Sequence, residues 1–233
     1  MESQRNYQLF NSYLSGNPSI SELAKNIRHW KLEPRNENVE MSIMEWGYHS
    51  GVVSIDFMSK FPFIDNLDLE DKIIVFRQCY FYSSLLFDSL RASKKKQDFV
   101  CFPDGTEVIE LDIPGVTKHF ENDIRSRLAG RANELRITRE EVLLLSVILM
   151  CNPALPDLSP NAQTSLTMQQ RIYSSALVQH CLQRHQKSGP SRFADLLSLF
   201  HVIVKTRQDI SHHFVISSFQ DSRTPLKRIF WDY

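Results

Sequence analysis

Eight histidines and four cysteines are the side chains of this 233-residue chain best suited to metal or nucleophilic chemistry, and their spacing argues against both. His180 and His185 stand five apart, off a common helical face, and His212 and His213 are adjacent and point apart. Cys79, Cys101, Cys151 and Cys181 contain no CxxC pair, so the pattern indicates neither a zinc site nor a disulfide framework and fits reduced thiols inside a cell. No HExxH, GxSxG or glycine-rich phosphate loop occurs. The expectation is a protein that is not an enzyme and needs no cofactor or metal. A haem pocket would require a buried histidine or cysteine, with Cys79, His119, His180 and His201 as candidates, and a visible absorption band would reveal it.

Composition narrows the class further. Lys and Arg total 27 against 27 Asp and Glu, so no global field draws the chain to nucleic acid or an anionic membrane. Only 7 glycines serve 233 residues, too few for the turns of an all-β chain, and the composition leans helical. The longest apolar run, Val142 to Cys151, is interrupted by Ser146 and falls short of the roughly 18–20 residues that span a bilayer. The first ten residues lack a basic-then-apolar signal layout.

The elements follow from caps and periodicity. Ser19 and Glu22 have capping-box spacing before a short helix to about Trp30. Val39 to Phe61 reads as a long helix stopped at Pro62. Asp68, with Asp71 at the third position, opens an apolar helix through Leu90, closed by the basic string Arg91 to Lys96 at the negative end of its dipole. Phe99 to Ile109 around Asp104-Gly105 reads as a small β-hairpin. Helix returns after Pro114 to about Ala132. Thr138 and Glu141 form a second box before the Val142 run, and Ser159-Pro160 starts a helix to about Lys187, ended by Gly189-Pro190. Phe193, Leu196, Leu197, Phe200, Ile203, Val204, Ile210 and Phe214 stripe the last long helix, and Thr224-Pro225 opens a short amphipathic tail.

The ordered pieces resemble the ligand-binding domain of nuclear hormone receptors. Phe57-Met58-Ser59-Lys60-Phe61-Pro62-Phe63 and then Leu67 to Arg77 are similar to that family's stretch FAKxxPxFxxLxxxDQxxLLK. Leu90-Arg91-Ala92-Ser93, Glu141, Arg192 to Leu197 and the terminal helix follow in the family's order. The Phe102-Pro103-Asp104-Gly105 hairpin looks like the large nematode group related to hepatocyte nuclear factor 4 receptors. The resemblance implies an all-α fold, a three-layer antiparallel helical sandwich with one small β-hairpin, over residues 19–233, with 1–18 as an N-terminal extension or hinge remnant. It implies a nuclear protein that binds a lipophilic, fatty-acid-like ligand, recruits coactivator or corepressor helices, and pairs as a homodimer or with another nuclear receptor. DNA contact would belong to a separate zinc-finger domain outside these residues.

Carried residue by residue, the resemblance places Lys60, Arg77 and Ile73 on the coregulator groove, with Asp232 where the family's terminal helix carries glutamate in ΦΦxEΦΦ. A docked helix leaves free carbonyls at one end and free amides at the other, so a cation and an anion flanking an apolar groove suit it. Asp232 is one methylene shorter than glutamate, and Asp56, four residues before Lys60, would compete for the lysine. Arg91 matches the arginine that reaches a ligand carboxylate; the alternative is a helix-capping arginine facing water beside Lys94 to Lys96. Met44, Phe87, Phe102 and Tyr80 are pocket candidates, although filled by such side chains the pocket would leave a ligand-independent scaffold that dimerises and docks peptides. Glu141 with Arg192 resembles a buried structural ion pair, and Leu197, Phe200 and Val204 lie on the family's dimer surface, where monomer packing explains the stripe equally well.

Overall fold

The computed structural model describes residues 11–26, 29–30, 32–35, 40–219 and 227–230. In chain order its elements are β1 (Ser12–Tyr13), α1 (Ile20–Lys25), β2 (Glu33–Pro34), α2 (Ile43–Ser59), α3 (Pro62–Asp65), α4 (Leu69–Lys95), α5 (Lys118–Leu135), α6 (Arg139–Met150), α7 (Pro160–His185) and α8 (Gly189–Ser218). Short 3-10 turns fall at Gln186–Ser188 and Arg228–Phe230. The helical sandwich expected from the sequence is present. Helix α4 packs against α1, α2, α5, α6 and α8, which explains why its apolar residues point in nearly every direction. Helix α7 packs against α6 and α8, and α8 also covers α5.

Both expected capping boxes form, at Ser19 with Glu22 and at Thr138 with Glu141. A third, Ser42 with Glu45, starts α2 at Ile43, four residues later than the apolar pattern indicated. Asp68 takes the N-cap position of α4 without a side-chain bond, and Asp71 does not serve that helix end. Asp71 instead accepts from the Ser159 amide at 2.9 Å and its hydroxyl at 2.7 Å, pinning the start of α7 to the first turn of α4.

Two expectations are corrected. The Phe99–Ile109 segment makes an Asp104-Gly105 turn closed by one antiparallel bridge, Cys101 to Glu107, and not a hairpin of two strands. The paired strands lie elsewhere, with Ser12 opposite Pro34 and Tyr13 opposite Glu33. The Phe102 amide bonds the Thr106 carbonyl at 2.8 Å across the turn, and a bond from the Val100 amide to the Arg125 carbonyl and the Glu107–Arg125 ion pair tie the segment to α5. Gly189-Pro190 begins α8 and does not end α7, which stops at His185. Proline fits that first turn because its missing N–H would have no helical partner there.

Gly189 is required by close approach. A Cβ there would stand 2.9 Å from the backbone of Leu182, whereas one at Gly130, on the exposed face of α5, would meet nothing within 4 Å. Gly189→Ala is therefore expected to destabilise by about 1–3 kcal/mol through overpacking, and Gly130→Ala to stabilise by up to about 1 kcal/mol through helix propensity. Urea midpoints of the two variants, shifted in opposite directions, check this.

Candidate functional site

An apolar cavity of about 390 Å³ opens between α2, α4, α8 and the Asp104-Gly105 turn. Helix α2 contributes Ile43, Met44, Gly47 and Ser50, and the turn contributes Phe102 and Val108. Helix α4 presents Tyr80, Phe81, Ser84, Leu85 and Asp88, a single stripe at helical spacing. From α8 come Ile210, Ser211, Phe214, Val215 and Ser218, and Phe230 from the terminal turn completes the wall. Of the pocket candidates, Met44, Phe102 and Tyr80 line this cavity. Phe87 does not: about a quarter-turn off the α4 stripe, it packs edge-on against Phe57 at 5.1 Å in the core. The turn is held against α2 by Trp46, whose indole N–H donates to Asp104 at 2.8 Å and whose ring stacks on Phe102.

Arg91 neither faces water nor lines the cavity. Its side chain is 9% exposed, and its Nη2 donates to Asp88 Oδ1 at 2.7 Å and to the Cys101 carbonyl at 3.1 Å. Its Nη1 is buried without a hydrogen-bond partner. Asp88 is the charged group on the cavity wall, and sequence reasoning missed it although its i, i+3 spacing to Arg91 was visible.

Of the residues expected on the coregulator groove, Lys60, Ile73 and Arg77 are among the described residues. Lys60 follows the last turn of α2, about half exposed, and pairs with Asp56 at 2.8 Å, the competition anticipated from the sequence. Ile73 is buried on the first turns of α4; Arg77, one turn on, is half-buried with its Nε lacking a partner. Asp232 lies outside the described residues. Short of it, Ile229 is buried, its Cδ1 3.1 Å from the point a Cβ on Gly51 would occupy, and its carbonyl accepts from the Tyr80 hydroxyl at 3.4 Å. Arg228 pairs with Glu22 at 2.8 Å, and its amide donates to Asn17 at 2.7 Å. Lys227 stands 5.0 Å over the Tyr48 ring. The terminal turn is therefore fastened to α1, α2 and α4 at once.

Away from the cavity, Arg192 forks onto fully buried Glu141 at 2.8 and 2.6 Å and donates to the Leu135 carbonyl at 2.6 Å. Burial pushes the Glu141 carboxyl up, but the Arg192 bonds and the Thr138 amide outweigh it and hold the carboxyl below the ordinary value. Leu197, Phe200 and Val204 are half-buried against the core. More exposed apolar side chains, Met168 and Ile172 at over half exposed, sit one turn apart on α7, where no expectation had been placed. Among the described residues no group of three His, Cys, Asp or Glu could hold a metal, and no helix is long and apolar enough to cross a membrane.

Comparison with known proteins agrees with this layout. The family described as the ligand-binding domain of nuclear hormone receptor matches residues 30–219. Nuclear hormone receptor family member nhr-167 of Caenorhabditis elegans is 37% identical over 228 residues, covering 96% of this chain and 66% of that protein. Family member nhr-9 of the same organism is 31% identical, covering 97% of this chain and 68% of that protein, and nhr-27 is 36% identical, covering 75% and 50%. The chain thus spans half to about two thirds of the length of these relatives.

Proposed function

The chain belongs to the nuclear hormone receptor family through its ligand-binding domain, and from that membership we propose that it couples a lipophilic ligand in the α2–α4–α8 cavity to the docking of coregulator helices. The observation that carries the reading is Phe230. It lines the cavity while its neighbour Ile229 is wedged between Gly51 and Tyr80, so cavity contents and the terminal turn share one wall. A ligand that packs better against one position of Phe230 than another shifts the turn by that difference in free energy. Residues 19–233 are the responsive domain and 1–18 its extension. The protein acts in the nucleus to regulate transcription without catalysis, as a homodimer or paired with another nuclear receptor through the α8 face bearing Leu197, Phe200 and Val204, and a separate zinc-finger domain contacts DNA.

Docking is carried by Lys60, Arg77 and Ile73, with Asp232 as the anionic counterpart that the family resemblance implies. An exposed ammonium at a helix end suits the free carbonyls at the C-terminus of a peptide helix. Lys60→Ala is expected to weaken binding of a fluorescein-labelled coregulator peptide about tenfold, the scale of one charge-assisted bond of roughly 1.5 kcal/mol. Asp56→Ala, which frees the lysine, should strengthen binding a few-fold. Anisotropy titration reads both, and peptide affinity unmoved by Lys60→Ala removes the groove reading. Peptide affinity that stays constant from empty to ligand-saturated protein removes the coupling and leaves a docking scaffold.

A further inference from the structure

The charges beside the cavity define the head group that it accepts. Resting on the reading of the cavity as a lipid site, we propose that this chain selects a neutral, hydroxyl-bearing lipophilic ligand seated on Asp88, and rejects lipid acids and amines. Asp88 is 3% exposed and on the cavity wall. One carboxylate oxygen takes the Arg91 bond at 2.7 Å; among the described residues the other accepts no hydrogen bond. Arg91 in turn donates to Asp88 and to the Cys101 carbonyl, yet keeps a buried Nη1 with no acceptor.

The Asp88–Arg91 pair is neutral as a unit, and the rest of the lining is apolar side chains and hydroxyls. A third charge entering this space has no counter-ion. A lipid carboxylate meets the Asp88 carboxylate before an arginine already engaged, and a lipid ammonium competes with Arg91 for the same acid. A charge buried without its own partner is strongly disfavoured. An alcohol carries no charge and donates its proton to the Asp88 oxygen that Arg91 leaves unused. It thereby satisfies the one charged group that the cavity wall presents.

The test uses one chain length with three head groups: dodecanol, dodecanoate and dodecylamine, each competing against an environment-sensitive apolar fluorophore bound to the whole chain at neutral pH below its micellar concentration. Dodecanol is expected to bind at least tenfold more tightly than either charged analogue. In Asp88→Asn, which leaves Arg91 without its counter-charge, dodecanoate should gain tenfold or more and overtake the alcohol, with circular dichroism confirming the fold. Dodecanoate or dodecylamine binding the wild-type protein as tightly as dodecanol overturns the head-group assignment and leaves the lipid cavity standing. If no probe of the three binds and the fluorophore does not enter, the cavity reading falls and takes the assignment with it. The wild-type comparison decides even where Asp88→Asn does not fold.

Discussion

Arg192→Ala is expected to destabilise the domain by about 3–5 kcal/mol, because it strands the Glu141 carboxylate in the interior without a counter-charge. Glu141 is fully buried and Arg192 nearly so, and the guanidinium forks onto both carboxylate oxygens while bonding the Leu135 carbonyl. One side chain therefore joins the end of α5, the first turn of α6 and the first turn of α8. Lysine cannot reproduce the fork, so Arg192→Lys should fall between the alanine variant and the wild type. Urea denaturation at neutral pH measures the series.

The pH dependence of the same comparison separates electrostatics from lost packing. The folded Glu141 carboxyl is held below its ordinary value of 4.5. The wild-type pair therefore contributes in full above that value, and its contribution is lost as pH falls through the lower, folded one. Without Arg192 the Thr138 bonds and His185, 4.0 Å from the carboxylate, are left to oppose the burial of Glu141, so the balance shifts toward burial, which raises its carboxyl. The stability gap between wild type and Arg192→Ala should be widest above pH 4.5 and narrow in acid. A gap constant with pH would mean that the arginine acts through packing alone.

How far these features could be read in advance depended on the range of the interaction. Ser19 with Glu22 and Thr138 with Glu141 are local boxes, complete within four residues, and both form as read. Asp71 had the same local signature but bonds Ser159, 88 positions away, and no pattern near Asp68 reveals that competitor. Gly189-Pro190 carries opposite meanings at a helix end and a helix start, and what selects between them is the approach of Leu182 from the preceding helix. The pocket candidates came with the family resemblance and not from spacing on α4, whose apolar residues face nearly every side; Phe87 and Asp88, adjacent in the chain, differ by 100° around the helix, which sends one into the core and the other to the wall. Arg91 could be marked as a ligand contact by resemblance. That Asp88 had already claimed it depends on rotamers and on the Cys101 carbonyl, which only the folded turn supplies.

Gly51→Val is expected to expel the terminal turn from its seat while leaving the helical sandwich folded. A Cβ on Gly51 would stand 3.1 Å from Ile229 Cδ1 and 3.1–3.2 Å from the Tyr80 ring, and valine adds two methyl groups beyond that point. Tyr80 belongs to the core of α4 and has little freedom to retreat, whereas Ile229 is held by a three-residue turn. The turn should therefore yield first, losing the burial of an isoleucine, about 1.5–3 kcal/mol. That corresponds to a shift of roughly 10- to 100-fold in the seated population and, with Phe230 withdrawn, to an opened cavity wall. Cleavage after Lys227 and Arg228 by trypsin should accelerate by that factor, and coregulator-peptide affinity should fall with it. Ile229→Ala keeps Gly51 and Tyr80 unchanged and should release the turn in the same direction. If neither variant alters tryptic cleavage or peptide affinity, the seat between Gly51 and Tyr80 has no part in docking, and ligand control of this domain must run through another wall of the cavity.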